Sequence, residues 1–243
     1  MKALIRYRYT DMMKGVAAFW GVMLLITTAV VCIETGGQRV SFSAYGFSTV
    51  IMLFVLGVCT IREDVRLAAQ CGVGRRSAFW GNLITLLTVA GTMAAAGEVF
   101  VGAAQAMANG RTNVFFLDLY KMLYVGADRP GLTMGQHAMS AVLVLMLGLC
   151  AAVWGGFFSL LFWRLSKFWT VVVAVAIPVL ANGIPWLIVY LAGEEAVARL
   201  VFQVGEFLLS SPWNLIAVLA VLSAVGIGVN WLLLRRATVK AAK

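Results

Sequence analysis

The chain alternates between long apolar runs and short segments that gather its charge. Six runs are long enough to cross a membrane as helices: roughly Gly15–Ile33, Ser43–Ile61, Ser77–Val101, His137–Trp163, Phe168–Leu191 and Trp213–Leu234. At about 1.5 Å of rise per residue, about 20 residues cover the ~30 Å of bilayer hydrocarbon. None of these runs contains Asp, Lys or Arg, and the only Glu in them is Glu98, near the far end of the third. Hydrocarbon offers no partner to an open backbone group, so apolar spans of this kind must be helices. The pattern predicts one all-α polytopic domain over residues 1–243, with six transmembrane helices.

The segments between the runs carry patterns of their own. In residues 2–14, Ile5, Tyr9 and Met12 share one helical face, and Lys2, Arg6 and Thr10 another. This suits either a helix lying in the membrane interface or a basic flank anchoring the first span. Between the third and fourth runs, Phe115, Phe116, Leu119, Met122 and Leu123 form an apolar face, with Asp118 and Lys121 set elsewhere, which predicts an interfacial helix. Between the fifth and sixth runs, Val197, Leu200, Val201, Val204 and Leu208 recur at helical spacing opposite Glu195, Arg199 and Glu206. That predicts an amphipathic outer helix over 194–209, too charged to cross hydrocarbon, which lies on the surface or dips in and returns.

The fifth run holds Pro178, Asn182, Gly183 and Pro185 near its middle. Each proline removes a backbone hydrogen bond, so the helix is expected to kink or locally unwind there, as a static bend or as a hinge. Small residues four apart (Gly91 and Ala95, Gly148 and Ala152, Ala151 and Gly155, Ala224 and Gly228) predict close helix approach, within the chain or across a dimer seam.

Composition agrees with a membrane class. The chain is 62% hydrophobic and 12% charged, against about 45–50% and about 25% for soluble domains. Net charge is +9, but its placement is topological. Fourteen of the nineteen Lys and Arg residues fall in the N-terminal lead, in the segments after the second and fourth runs, and in the C-terminal tail. By the positive-inside rule these segments are expected to be cytoplasmic, with both termini in the cytoplasm of a protein of the bacterial cell membrane, and the charge leaves no nucleic-acid footprint. The basic lead and first run lack a small-x-small cleavage site, so the first run is expected to stay as a span.

Reactive chemistry is sparse. Cys32, Cys59, Cys71 and Cys150 show no metal-ligand spacing, and the single histidine, His137, has no partner motif for nucleophilic catalysis. No lysine follows a glycine, so the phosphate-binding GxxxxGK[ST] loop is absent and no ATPase activity or bound cofactor is expected in this chain. Glu98 is placed close to the outer interface, where a structural role is expected.

The densest charge lies between the second and third runs. Six of the fifteen residues from Arg62 to Arg76 are charged: Arg62, Glu63, Asp64, Arg66, Arg75 and Arg76. Arg62 to Ala69 is helix-compatible, Gly72 and Gly74 are suited to end that helix in left-handed conformations, and Arg75 and Arg76 anchor the next span. The result is a short, charged cytoplasmic elbow. An acidic helix, a glycine, one or two basic residues and then a span (here Glu63, Asp64, Gly72, Gly74, Arg75, Arg76 and Phe79) resemble the coupling helix of the permease subunits of type-2 ATP-binding cassette (ABC) transporters. The basic lead and the outer helix between the fifth and sixth spans are similar to that layout as well.

The resemblance implies an exporter permease for a hydrophobic or amphipathic substrate such as an antimicrobial peptide. It would pair with a second permease, identical or different, and with a separate ABC ATPase that binds ATP and Mg. Glu63, Asp64, Val65, Arg66, Leu67, Ala68 and Ala69 would then form the coupling helix, with Val65, Leu67, Ala68 and Ala69 as candidate apolar anchors. The competing expectation is a stand-alone membrane carrier or scaffold with no ATPase partner.

Overall fold

A computed structural model describes residues 2–32, 40–42, 44–108, 114–116, 118–126 and 132–235. The described chain is helical almost throughout: α1 (Lys2–Cys32), α2 (Ala44–Gln70), α3 (Arg75–Ala108), α4 (Met134–Arg164), α5 (Lys167–Ala192), α6 (Glu194–Ser210) and α7 (Pro212–Arg235). Among the described residues, six of these helices, all but α6, are long and apolar enough to cross a membrane.

Several helices outrun the apolar runs that announced them into charged sequence: α1 begins in the basic lead, α2 continues through Glu63 and Asp64, and α3 begins at Arg75. Charged and polar flanks with good helix propensity continue a helix already nucleated by its apolar stretch. The N-terminal lead is therefore no separate interfacial element but the first turns of α1. Likewise the second span and the elbow helix form one rod of 27 residues.

α2 and α4 make the centre of the bundle, where glycines remove the side chains that would hold them apart. A Cβ at Gly57 would run into the backbone of Ala152, one at Gly155 into the Phe54 carbonyl, and one at Gly148 into Leu53. The small pairs of the fourth run thus serve packing inside this chain. Gly91 and Gly228 meet nothing within 4 Å, and it is Gly226 of α7 that lies against Val153. Around this centre, Leu53, Val89, Ala90, Met93 and Ala152 are fully buried together with Met12 and Val16 of α1. A T-shaped Phe19–Trp20 pair and the buried Thr27–Tyr45 hydroxyl contact (2.6 Å) extend the α1 seam toward the far end.

α5 stands outside this bundle. None of its membrane-length window is buried, and it meets the rest of the chain chiefly through α6. The helix runs without interruption through Pro178 and Pro185, so the local unwinding expected there does not occur. Within this stretch Asn182 Nδ2 donates to the Pro178 carbonyl at 2.8 Å. A proline inside a helix costs one backbone hydrogen bond and can bend the rod without ending it, so the helix continues. α6 forms where its periodicity placed it, starts after Gly193 (φ 82°), ends before Pro212 and buries no residue. The Tyr124 hydroxyl donates to the Leu208 carbonyl at 3.0 Å and ties the end of α6 to the segment before α4.

That segment departs from expectation. In place of one interfacial helix, Val114–Phe116 (β2) pairs in parallel with Val40–Phe42 (β1), with Val114 opposite Val40. A single π-helical turn follows at Lys121–Val125. Asp118 and Lys121, assigned to a polar face, are buried, while Met122 of the supposed apolar face is exposed. The reason is a polar partner: the Ser140 hydroxyl of α4 donates to the Asp118 carboxylate, which pulls that residue inward. Beside it His137 Nδ1 lies 2.9 Å from Glu98 Oε2 and joins α4 to α3.

Candidate functional site

The elbow is built by one helix end and one helix start. α2 closes through paired reverse hydrogen bonds: Val73 N–H donates to the Ala68 carbonyl at 2.8 Å and Gly72 N–H to the Ala69 carbonyl at 3.2 Å. This closure requires a left-handed residue at its second-last position, and Gly72 supplies it with φ of 68°. Gly74 does not take a left-handed conformation, contrary to expectation. Its carbonyl instead accepts the Ala78 N–H at 3.0 Å, opening α3. Replacing Gly72 with alanine is expected to cost about 1–2 kcal/mol, the usual penalty for a Cβ in the left-handed region. Gly74→Ala, with open space around the added methyl, should be nearly silent in thermal unfolding of the detergent-solubilised protein.

Three arginines fasten this elbow to the bundle. Arg8 of α1 is 2% exposed, and its Nε lies 2.9 Å from Asp64 Oδ1. Its Nη2 donates to the Asp64 carbonyl at 2.7 Å and its Nη1 to the Ala78 carbonyl at 3.4 Å, so one guanidinium spans α1, α2 and α3. Arg62 donates through Nε and Nη2 to the Ser159 carbonyl of α4, at 3.2 and 3.1 Å. Arg75 Nη1 donates to the Arg235 carbonyl at the end of α7, at 3.2 Å. The planar, many-donor guanidinium suits each of these tasks, since it can bond several acceptors at once.

Apolar packing reinforces the arginines. Ile61, Val65, Phe79, Leu160 and Leu234 form one buried cluster drawn from α2, α3, α4 and α7, and the Phe79 ring meets Trp231 with centroids 5.3 Å apart. Beneath the turn, Val65, Ala68, Val73, Ala78 and Leu234 line a cavity of about 280 Å³. These contacts place the start of α1, the elbow and the end of α7 at one end of the bundle.

The seven residues of the elbow helix divide into two sets. Asp64, Val65 and Ala68 are buried against this chain's own helices, so Val65 and Ala68 are closed to a partner. Glu63, Arg66 and Ala69 are exposed and Leu67 is half-buried, with Arg75 and Arg76 exposed on the following helix. Among the described residues, Glu63, Arg66 and Arg76 have no ion-pair or side-chain hydrogen-bond partner. The outward surface of the elbow is therefore a small charged patch with a modest apolar edge. The residues of the proline cluster do not join it: Pro178, Asn182, Gly183 and Pro185 are all exposed on α5.

Arg8 is the contributor that sequence reading passed over, counted only as one of several basic flanking residues. A signal was present in the spacing. Arg8, Met12 and Val16 are buried at intervals of four on α1, so the arginine lies on the apolar stripe rather than opposite it. No family model, curated protein or solved structure matches the chain. The functional reading therefore rests on its own residues.

Proposed function

We propose that the chain is the permease subunit of an ATP-driven ABC exporter, with ATP and Mg bound and hydrolysed by a separate ATPase and a second permease completing the path. The observation that carries this reading is the fastening of the elbow: a push on the α2–α3 turn acts at once on α1 through Arg8, on α4 through Arg62 and on α7 through Arg75. A turn that served only to reverse the chain would not need ties to three other helices. The unpaired charges of Glu63, Arg66 and Arg76 supply a surface for a partner, with Leu67 and Ala69 as its short apolar edge. Helix-in-groove contacts work this way, with a few anchors for affinity and charges for register. A hydrophobic or amphipathic cargo, such as an antimicrobial or other peptide, suits spans that carry one carboxylate among them.

The test is a charge reversal confined to the outward set. Glu63→Lys combined with Arg66→Glu is expected to weaken co-purification with the partner ATPase at least tenfold, about 1.4 kcal/mol, and to abolish substrate-stimulated ATP hydrolysis. Because both side chains are exposed, thermal unfolding should barely change. Unaltered complex and unaltered coupled hydrolysis would remove the reading.

The Glu98–His137 pair supports a second reading, a stand-alone ion-coupled carrier, since paired ionisable groups inside spans commonly mark proton or ion pathways. On that reading Glu98→Gln abolishes uptake driven by a proton gradient in vesicles. On the exporter reading it leaves ATP-driven transport largely intact.

A further inference from the structure

Among the described residues, two buried amide oxygens near the elbow lack partners, and the asparagines that carry them border the same gap. Asn230 of α7 donates through Nδ2 to the Val153 carbonyl at 2.8 Å, which fixes the orientation of its amide and leaves Oδ1 without a donor. Turning the amide over would set two oxygens against each other, so the vacant group at this residue is an acceptor. Asn82 of α3 is equally enclosed, and its Oδ1 is also without a donor. Both residues border a space framed by Ile61, Phe79 and Gly156, with about 20 Å³ open to the centre of a water molecule.

We propose that this gap is a binding site for one structural water, which donates one O–H to Asn82 Oδ1 and the other to Asn230 Oδ1. A buried water requires at least two polar partners and room of about 10–15 Å³ or more on that measure, and two amide oxygens in an otherwise apolar gap of about 20 Å³ meet both conditions. An apolar void of the same size would stay empty. Two uncompensated acceptors make emptiness costly here, because a buried oxygen without a donor forfeits the hydration it had in the unfolded chain. The bridge joins α3 to α7 one layer inside the elbow, beside the Phe79–Trp231 contact. It does not depend on the ATPase reading, since it concerns only this chain's own polar groups.

Gly156 offers a test whose sign separates the two cases. A Cβ added there would lie 3.4 Å from Ile61 Cδ1 and 3.7 Å from Asn230 Nδ2, ordinary contacts, so alanine fits and occupies the space. If the gap were an empty void, Gly156→Ala would fill it and would also gain helix propensity, raising the unfolding midpoint of the purified chain. With the water present, the methyl expels it and strands both oxygens. A midpoint lowered by roughly 2–4 °C is then expected, about the effect of 1 kcal/mol at this chain length. In the background Asn82→Leu with Asn230→Leu the same alanine should no longer lower the midpoint. A structure at a resolution that shows ordered water should carry a density peak between the two amide oxygens. A raised or unchanged midpoint for Gly156→Ala, or an empty gap in such a structure, would overturn the proposal.

Discussion

Arg8→Met is expected to destabilise the protein by about 3–5 kcal/mol, the range for leaving one member of a buried ion pair without the other. The guanidinium is 2% exposed beside an Asp64 side chain that is 11% exposed. Among the described residues, Asp64 Oδ2 has no hydrogen-bond partner and Arg8 is the one cation paired with this carboxylate, so its removal leaves the charge without a counter-ion. Asp64→Leu should cost a comparable amount for the opposite reason, a stranded cation. The pair replaced together, Arg8→Met with Asp64→Leu, should recover most of the loss, because an apolar pair escapes the desolvation penalty that both charges carry. Denaturation of the four proteins in one detergent gives the comparison. A double variant as unstable as the sum of the singles would show that each side chain acts independently, with the Arg8 bonds to the Asp64 and Ala78 carbonyls as the main contribution. A consequence for function follows. Asp64 stabilises the elbow from within, so a charge-reversal test of partner binding that included it would confuse unfolding with uncoupling, whereas Glu63 and Arg66 avoid this.

The other large effect belongs to the glycines between α2 and α4. Gly57→Ala places a methyl against the backbone carbonyl of Ala152, and Gly155→Ala places one against the Phe54 carbonyl, with Val58 N at 3.2 Å. Backbone cannot swing aside as a flexible side chain can, so the helices must move apart. Overpacking of a close interface costs about 1–3 kcal/mol per site, and these two sites share one seam, so the double variant is expected to lose the folded bundle in mild detergent. Gly91→Ala and Gly228→Ala provide the contrast. Neither added methyl meets an atom within 4 Å, and each exchanges glycine for a better helix former worth about 1 kcal/mol. Size-exclusion profiles and unfolding midpoints would separate the two classes. Equal effects at all four sites would mean that helix propensity, and not the α2–α4 contact, decides the outcome.

The legible part of this protein was the part governed by solvent. Apolar runs of membrane length announced six helices because hydrocarbon permits little else, and the period of residues 194–209 announced α6 because its charges bar it from crossing. Gly72 could be read as a helix terminator because only a residue without a Cβ takes φ of 68° at little cost. These inferences need one segment and the medium around it. Pairings between distant segments were another matter. That Arg8 meets Asp64 across 56 positions, that Asp118 turns inward to Ser140, and that three residues after α1 pair with three after α3 depend on which surfaces face each other, and no local period records that.

The same division runs through the elbow. Its charge density and its place between two spans stood in the sequence. Which face of the helix was spoken for did not, because Val65 and Leu67 are equally apolar on paper, yet only Val65 packs against Leu234 and Phe79. The fifth run shows the reverse case, where local rules predicted a kink or local unwinding at Pro178 and Pro185 and the helix carried on without unwinding. A sequence determines what each segment can tolerate next to water or lipid. The tertiary structure decides which tolerated surface is used, because burial and hydrogen bonding are contributed by both partners and only one of them is present in any stretch of chain.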